Sequence, residues 1–244
     1  MSEQKTALVT GANKGIGYEI AAGLGALGYT VGVGARDADR RDAAVARLRD
    51  TGVDAFGVPL DVTDDAGVAA AAELIERHTG RLDALVNNAG ITGDVHGQTP
   101  STADLDVLRS VVDTNVLGVI RVTNAMLPLL RRAPSPRIVN VSSGVGSLTR
   151  QSGPDGALTT GPVAVAYSPS KTFLNAVMLQ YVRELAGTNI LINAACPGFV
   201  ATDLNGFRGV RTPQEGARTP IRLATLPDGG PTGGFFEDAG VVPW

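Results

Sequence analysis

Residues 5–28, KTALVTGANKGIGYEIAAGLGALG, join a short apolar run to a helical pattern through a turn that holds Gly11, Gly15 and Gly17. Glycines let backbone amides come close to a pyrophosphate, and a helix starting near Gly15 aims its positive dipole end at that anion. A glycine-rich turn alone is a weak sign. Set between a strand and a helix at the head of an alternating chain, it points to a dinucleotide site, with Asn13, Lys14 and Ile16 in the same turn.

Outward from this turn the alternation continues almost to the end of the 244 residues. Strands are expected near 5–10, 29–35, 53–60, 82–87, 136–142, 189–196 and 233–237. Helices are expected near 15–28, 38–51, 64–79, 102–131, 167–187 and 213–226. Continuously apolar strands separated by helices predict an α/β fold: one doubly wound, Rossmann-type domain spanning 1–244, with a parallel seven-stranded sheet covered by helices on both faces. No linker or repeat divides the chain. The irregular stretches 89–101, 143–166 and 198–212 all come after strands, so they gather over one sheet edge, where ligands of such folds bind.

Composition narrows the function. Hydrophobic residues make up 43% and charged residues 18%, with a net charge of −3, so a large core is expected and a nucleic-acid or anionic-membrane partner is not. Cys196 is the only cysteine and His78 and His96 the only histidines, which leaves no intramolecular disulfide and no His/Cys metal site. Cys196 reads as a buried structural thiol and neither histidine as catalytic. The opening M-S-E-Q-K-T has no signal-peptide pattern and no apolar stretch reaches the length of a membrane helix, so a cytoplasmic protein is expected.

The second strand selects the cofactor. An acid at its end binds the ribose 2′-hydroxyl of NAD, whereas a base suits the 2′-phosphate of NADP. Here the strand ends Gly34-Ala35-Arg36, with Lys14 able to point to the same phosphate, and NADP(H) is favoured over NAD(H). Asp37 is out of register for the acid. Asp61 either accepts from an adenine amino group or caps the next helix. Asn87-Asn88-Ala89-Gly90 allows close cofactor approach while its asparagines tie strand ends together.

Tyr167 and Lys171 lie four residues apart in Y-S-P-S-K and share a helix face. An ammonium beside a phenol favours phenolate, so the pair is expected to bring the Tyr167 pKa down and to fit it for proton exchange with a carbonyl or alcohol oxygen.

In their order, T-G-A-N-K-G-I-G, Asp61-Val62, N-N-A-G, Asn115, Ser142-Ser143, Y-x-x-x-K and Pro197-Gly198 resemble the short-chain dehydrogenase/reductase family. Within it the chain is most similar to the NADPH-dependent carbonyl reductases, through N-K-G-I-G, A-R-D at 35–37, N-V-S-S at 140–143 and P-Q-E-G-A-R-T-P at 213–220. The resemblance implies Tyr167 as acid/base, Lys171 as its electrostatic partner and a ribose ligand, and Ser143 rather than Ser142 as the substrate-oxygen ligand. It implies Asn115 as holder of a proton-relay water, although an Asn bonded to backbone in a kinked helix fits as well. Pro197, Gly198, Val200 and Thr202 would line the nicotinamide side, with the Thr202 hydroxyl equally able to cap a helix or lid beginning there.

The implied reaction is hydride transfer between nicotinamide and the carbonyl or secondary alcohol of a neutral, partly apolar small molecule. A 3-oxoacyl-thioester reductase and a hydroxysteroid-type dehydrogenase are the alternatives within the class. A catalytically silent NADP(H) sensor is the alternative outside it, and retention of Tyr167 and Lys171 argues against that. Set against the resemblance, the interval from Ser143 to Tyr167 is longer than usual for the family and shorter than the helical insertion of the carbonyl reductases. This favours a homo-oligomer, dimer or tetramer, built on helices 102–131 and 167–187, without excluding a monomer. Arg208 and Arg211 read as solvated loop residues. Trp244 either packs back on the domain or enters a partner.

Overall fold

The computed structural model describes residues 4–93, 98–153 and 163–244. Seven parallel strands form the sheet: β1 (Thr6–Thr10), β2 (Thr30–Ala35), β3 (Ala55–Pro59), β4 (Ala84–Asn87), β5 (Arg137–Val141), β6 (Leu191–Ala195) and β7 (Phe235–Glu237). The parallel sheet expected from the alternation is therefore present. One strand lies beyond that expectation: the two-residue β8 (Gly240–Val241), which turns back antiparallel on β7. The spatial order is β3-β2-β1-β4-β5-β6-β7-β8, so the chain switches winding direction between β1 and β4. That reversal opens a crevice at the carboxyl ends of the strands.

Helices α1 (Gly15–Ala26), α2 (Ala38–Asp50), α3 (Asp65–Thr79), α4 (Leu105–Val112), α5 (Gly118–Leu130), α6 (Leu148–Ser152), α7 (Tyr167–Glu184) and α8 (Pro213–Ala224) complete the layers. Strand β1 shows why two faces must be covered. Leu8 joins a core with Val122, Met126 and Met178 of α5 and α7, whereas Ala7 and Val9 join Ile20, Leu24, Leu48 and Leu223 of α1, α2 and α8. Alternate side chains of one strand thus feed two cores, which is the origin of the uninterrupted apolar strands. No helix among the described residues is long and apolar enough to cross a membrane.

Helix starts obey the local chemistry. Asp37 accepts from the Arg40 amide at 3.0 Å to cap α2, and Asp64 accepts from the Ala66 amide at 3.1 Å to cap α3. A reciprocal Thr212/Glu215 box with Pro213 in the first turn opens α8. Helix α1 differs: Lys14 at its start is extended and makes no side-chain cap, leaving the first-turn amides to the crevice.

The single helix expected over 102–131 is interrupted. Between α4 and α5 the chain takes one wide π turn over Asp113–Leu117, with Asn115 fully buried in it.

Candidate active site

The crevice is a cleft of about 830 Å³ along the carboxyl ends of β1, β2 and β4. Gly11, Asn13, Lys14, Gly15, Ile16, Gly17, Arg36, Asp61, Val62, Asn88, Ala89, Gly90 and Thr202 all line it. Of the candidate residues, Asn115, Ser143, Tyr167, Lys171, Pro197, Gly198 and Val200 lie outside that lining. The two groups meet at Gly90, where an added Cβ would sit 3.2 Å from Asn115 Oδ1 and 3.7 Å from Lys171 Nζ.

The glycine turn is built for close approach. A Cβ on Gly17 would fall 2.4 Å from both Asn88 Nδ2 and Gly11 O, and Gly11 and Gly15 hold φ of +64° and +55°, in the left-handed region. Asn88 Nδ2 donates to Thr10 O at 2.9 Å, and the Asn88 and Ala89 amides each donate to Thr10 Oγ1 at 2.9 Å, locking β4 to β1. Asn87 Nδ2 likewise donates to Asn140 Oδ1 at 2.9 Å on the other side.

At the end of β2, Arg36 is exposed beside Asp61, and Arg40 lines the same cleft. Asp37 is committed to the α2 cap and bridges Arg40 at 3.5 Å. Sequence reasoning misses Arg40, although its position four residues past Arg36 at a helix start is a usable signal. Asp61 does not cap α3, since Asp64 does. Its Oδ1 accepts from the Thr63 amide and hydroxyl at 3.0 and 2.7 Å, which holds its carboxyl below the usual range. Uncapped amides, a cradle that a Cβ would fill and two arginines at the β2 end fit a phosphorylated dinucleotide. Lys14 is ion-paired with Asp203 across the cleft mouth.

Tyr167 opens α7, and Lys171 Nζ sits 5.6 Å from its ring centroid. Ser143 is the hydroxyl neighbour of the phenol and accepts from the Val145 amide at 3.5 Å, whereas Ser142 turns inward and donates to Asn175 Oδ1 at 2.7 Å. Lys171 is 4% exposed and donates to Val141 O at 2.8 Å. The expected drop in the Tyr167 pKa is not found. Burial pushes the phenol up to about 12, with the neighbouring Ser143 hydroxyl pulling the other way. Burial also brings Lys171 down to about 8. Desolvation is the leading cause of both shifts, with Lys171 buried and Tyr167 partly so.

Asn115 Oδ1 accepts from the Ile91 amide at 2.9 Å, and its Nδ2 donates to Ile91 O at 2.8 Å and to Ser170 Oγ at 3.0 Å. Ser170 Oγ in turn donates to Tyr167 O at 2.7 Å. The Asn115 side chain is thus bonded to backbone beside a distorted helix, and it braces the first turn of α7. Ser170 is a second residue that sequence reasoning misses, although it stands in plain view within Y-S-P-S-K.

Gly198 has φ +79°, and a Cβ there would strike the Arg211 side chain at 2.9 Å. Arg211 is not a free loop residue: it donates to Glu215 O at 2.8 Å and is ion-paired with Asp238. Arg208 remains exposed, donating to Asn205 O at 2.9 Å. Val200 is buried, and its carbonyl accepts from Asn205 Nδ2 at 2.8 Å. Thr202 stands over the glycine turn, its methyl 3.3 Å from a Cβ placed on Gly15.

Beyond the turn, Leu204 and Phe207 line the cleft and are 39% and 66% exposed, with Phe207 in the left-handed region at φ +61°. Cys196 is buried and its thiol is pushed up by desolvation. His78 lies against the Phe56 ring with centroids 4.1 Å apart, and His96 falls outside the described residues, as does 154–162 of the interval before Tyr167. Trp244 packs back, stacked on Phe235 at 5.6 Å.

Compared with known proteins, residues 5–210 match the family model for short chain dehydrogenase. Short-chain dehydrogenase/reductase 1 of Saponaria officinalis is 36% identical, over 100% of this chain and 97% of its own. Carbonyl reductase (NADPH) 1 of Mus musculus is 32% identical, over 100% of this chain and 99% of its own. That alignment runs over 286 positions against 244 residues here, so the relative carries segments this chain lacks. Among solved structures, the NADPH-bound carbonyl reductase from chicken fatty liver superposes with a TM-score of 0.86 at 29% identity, covering 99% of this chain and 100% of its own.

Proposed function

The chain belongs to the short-chain dehydrogenase/reductase family, and from that premise we propose that it is an NADP(H)-dependent reductase of neutral, partly apolar carbonyl compounds, with Tyr167 as its acid/base. The observation that carries this reading is Lys171, buried and 5.6 Å from the Tyr167 ring with Ser143 as the phenol's hydroxyl neighbour, next to a cleft with phosphate-binding character.

In this reading the first-turn amides of α1 and the glycines hold the pyrophosphate. Arg36 and Arg40 hold the 2′-phosphate, Lys14 serves that phosphate as well, and Asp61 with Val62 holds the adenine. Asn88, Ala89 and Gly90 make room for the ribose side. Pro197, Gly198, Val200 and Thr202 flank the nicotinamide, which when bound supplies the hydride.

Ser143 donates a hydrogen bond to the substrate oxygen and fixes its direction. Tyr167 gives that oxygen its phenolic proton as negative charge builds there. Lys171 stabilises the phenolate left behind, and the Asn115–Ser170 brace keeps the first turn of α7 in place. Only after proton transfer does the ammonium face an anion, so its attraction is greatest where the reaction needs it. Leu204 and Phe207 give the substrate wall an apolar character, which favours a small hydrophobic ketone or aldehyde over a charged carrier.

Exposed Leu105, Leu117 and Phe173 on α4, the wide turn and α7 favour pairing of two copies there. NADPH consumption with a panel of ketones, aldehydes and quinones tests the reaction. Tyr167→Phe is expected to lower kcat on the order of a hundred- to ten-thousandfold while NADPH affinity stays nearly unchanged. Substantial residual turnover would sink the role of the phenol. Tight NADPH binding without turnover on any carbonyl would favour a sensor instead.

A further inference from the structure

Gln98 is 6% exposed and takes no part in the cleft lining or the Ser143–Tyr167–Lys171 cluster. Its backbone oxygen accepts from the Val165 amide at 3.2 Å, and its side-chain Oε1 accepts from the Ala166 amide at 3.3 Å. These are the two residues immediately before Tyr167. Helix α7 starts without a side-chain cap of its own, because Ala166 at its head has no group to offer. A residue 68 positions away supplies the missing acceptor.

The orientation of the Gln98 amide is fixed by this contact, since a backbone N–H can bond only to the oxygen. Its Nε2 is then left buried with no hydrogen-bond partner among the described residues, lying against Gly93, where an added Cβ would come within 3.1 Å. A buried, unpaired donor is costly and needs a compensating contact. Here the compensation is the oxygen at the head of the helix that carries the phenol.

We propose that Gln98 is a positioning residue for Tyr167: it caps α7 from across the site and so fixes the phenol against Ser143. This rests on Tyr167 being the acid/base. The first turn of α7 is held from two sides, by Asn115 through Ser170 below and by Gln98 above. Loss of the side-chain contact leaves the Ala166 amide without its acceptor while the backbone bond to Val165 stays, and a first turn so loosened lets the phenol shift away from Ser143.

Gln98→Met keeps the volume and removes the carboxamide, whereas Gln98→Glu restores an oxygen at the same reach. The readouts are kcat, KM for NADPH and the ¹³Cζ resonance of Tyr167 in cofactor-free protein, assigned by its loss in Tyr167→Phe. Ser143→Ala supplies the resonance position of a phenol without its hydroxyl neighbour. Gln98→Met is expected to move the resonance towards that position and to lower kcat on the order of tenfold, with KM for NADPH unchanged. Gln98→Glu is expected to recover both. Should Gln98→Met not fold, Gln98→Asn, which retracts the oxygen, carries the same expectation.

A wild-type resonance in Gln98→Met overturns the proposal. Equal displacement in Gln98→Met and Gln98→Glu overturns it too, because the oxygen is then not what matters. A displaced resonance with unchanged turnover upholds the positioning and counts instead against Tyr167 as the acid.

Discussion

Lys171 is a buried base whose folded pKa, about 8, lies below its unfolded 10.5. Between those values the unfolded chain holds a proton that the folded one lacks, so this residue's contribution to stability grows as pH rises through the window. Below about 8 the full cost of the buried ammonium applies, about 3 kcal/mol for a shift of that size. Tyr167 acts oppositely and later: with its pKa raised from 10.0 to about 12, its stabilisation is intact below 10 and is lost as pH climbs through 12. Lys171→Met is therefore expected to gain stability relative to the parent at pH 7, with the gap closing between pH 8 and 10.5 in urea titrations. A gap independent of pH would refute the shift. The Tyr–Lys spacing is legible in the sequence, and so is the order of the motifs around it. The sign of the phenol's shift is not, because a four-residue spacing reveals the neighbour and says nothing about the solvent both groups lose. Gln98 is invisible for a related reason: its partners lie far along the chain and are backbone amides, which leave no mark on residue type.

Helices and strands are legible where periodicity alone decides them, as in β1, β2 and α3, and less so where tertiary contact does. Helix α6 is too short for a periodic pattern, and β8 exists because the chain after Glu237 folds back on β7. The turn Gly144–Gly146 shows how tightly elements meet. A Cβ on Gly146 would lie 2.9 Å from the Lys171 carbonyl carbon and 3.1 Å from Asn175 Nδ2. Gly146→Ala is expected to cost about 1–3 kcal/mol through overpacking. It should also lower kcat, because the strain falls on the segment carrying Lys171. Denaturant unfolding and steady-state kinetics on the same variant check both. Normal stability with normal turnover would show that α7 yields without consequence.

Across the whole molecule, the cleft and the cores share the same strands, so cofactor occupancy should be felt as global stability. At a hundredfold excess over Kd a ligand that binds only the folded state adds about 2.7 kcal/mol. NADPH is expected to raise Tm more than NADH does at equal concentration. Arg36→Asp should remove the difference, changing the affinity ratio on the order of ten- to a hundredfold. Equal preference before and after that change would refute the reading of the β2 end. The wide turn at Asp113–Leu117 has a consequence for the architecture as well. It amounts to one surplus residue in an otherwise continuous helix, which rotates everything downstream by about 100°. α4 and α5 are thus two segments of one rod held out of phase. The apolar stripe of α5 can face the sheet while Asn115 points at Ile91 and Ser170, two demands that no helix of constant pitch could meet together.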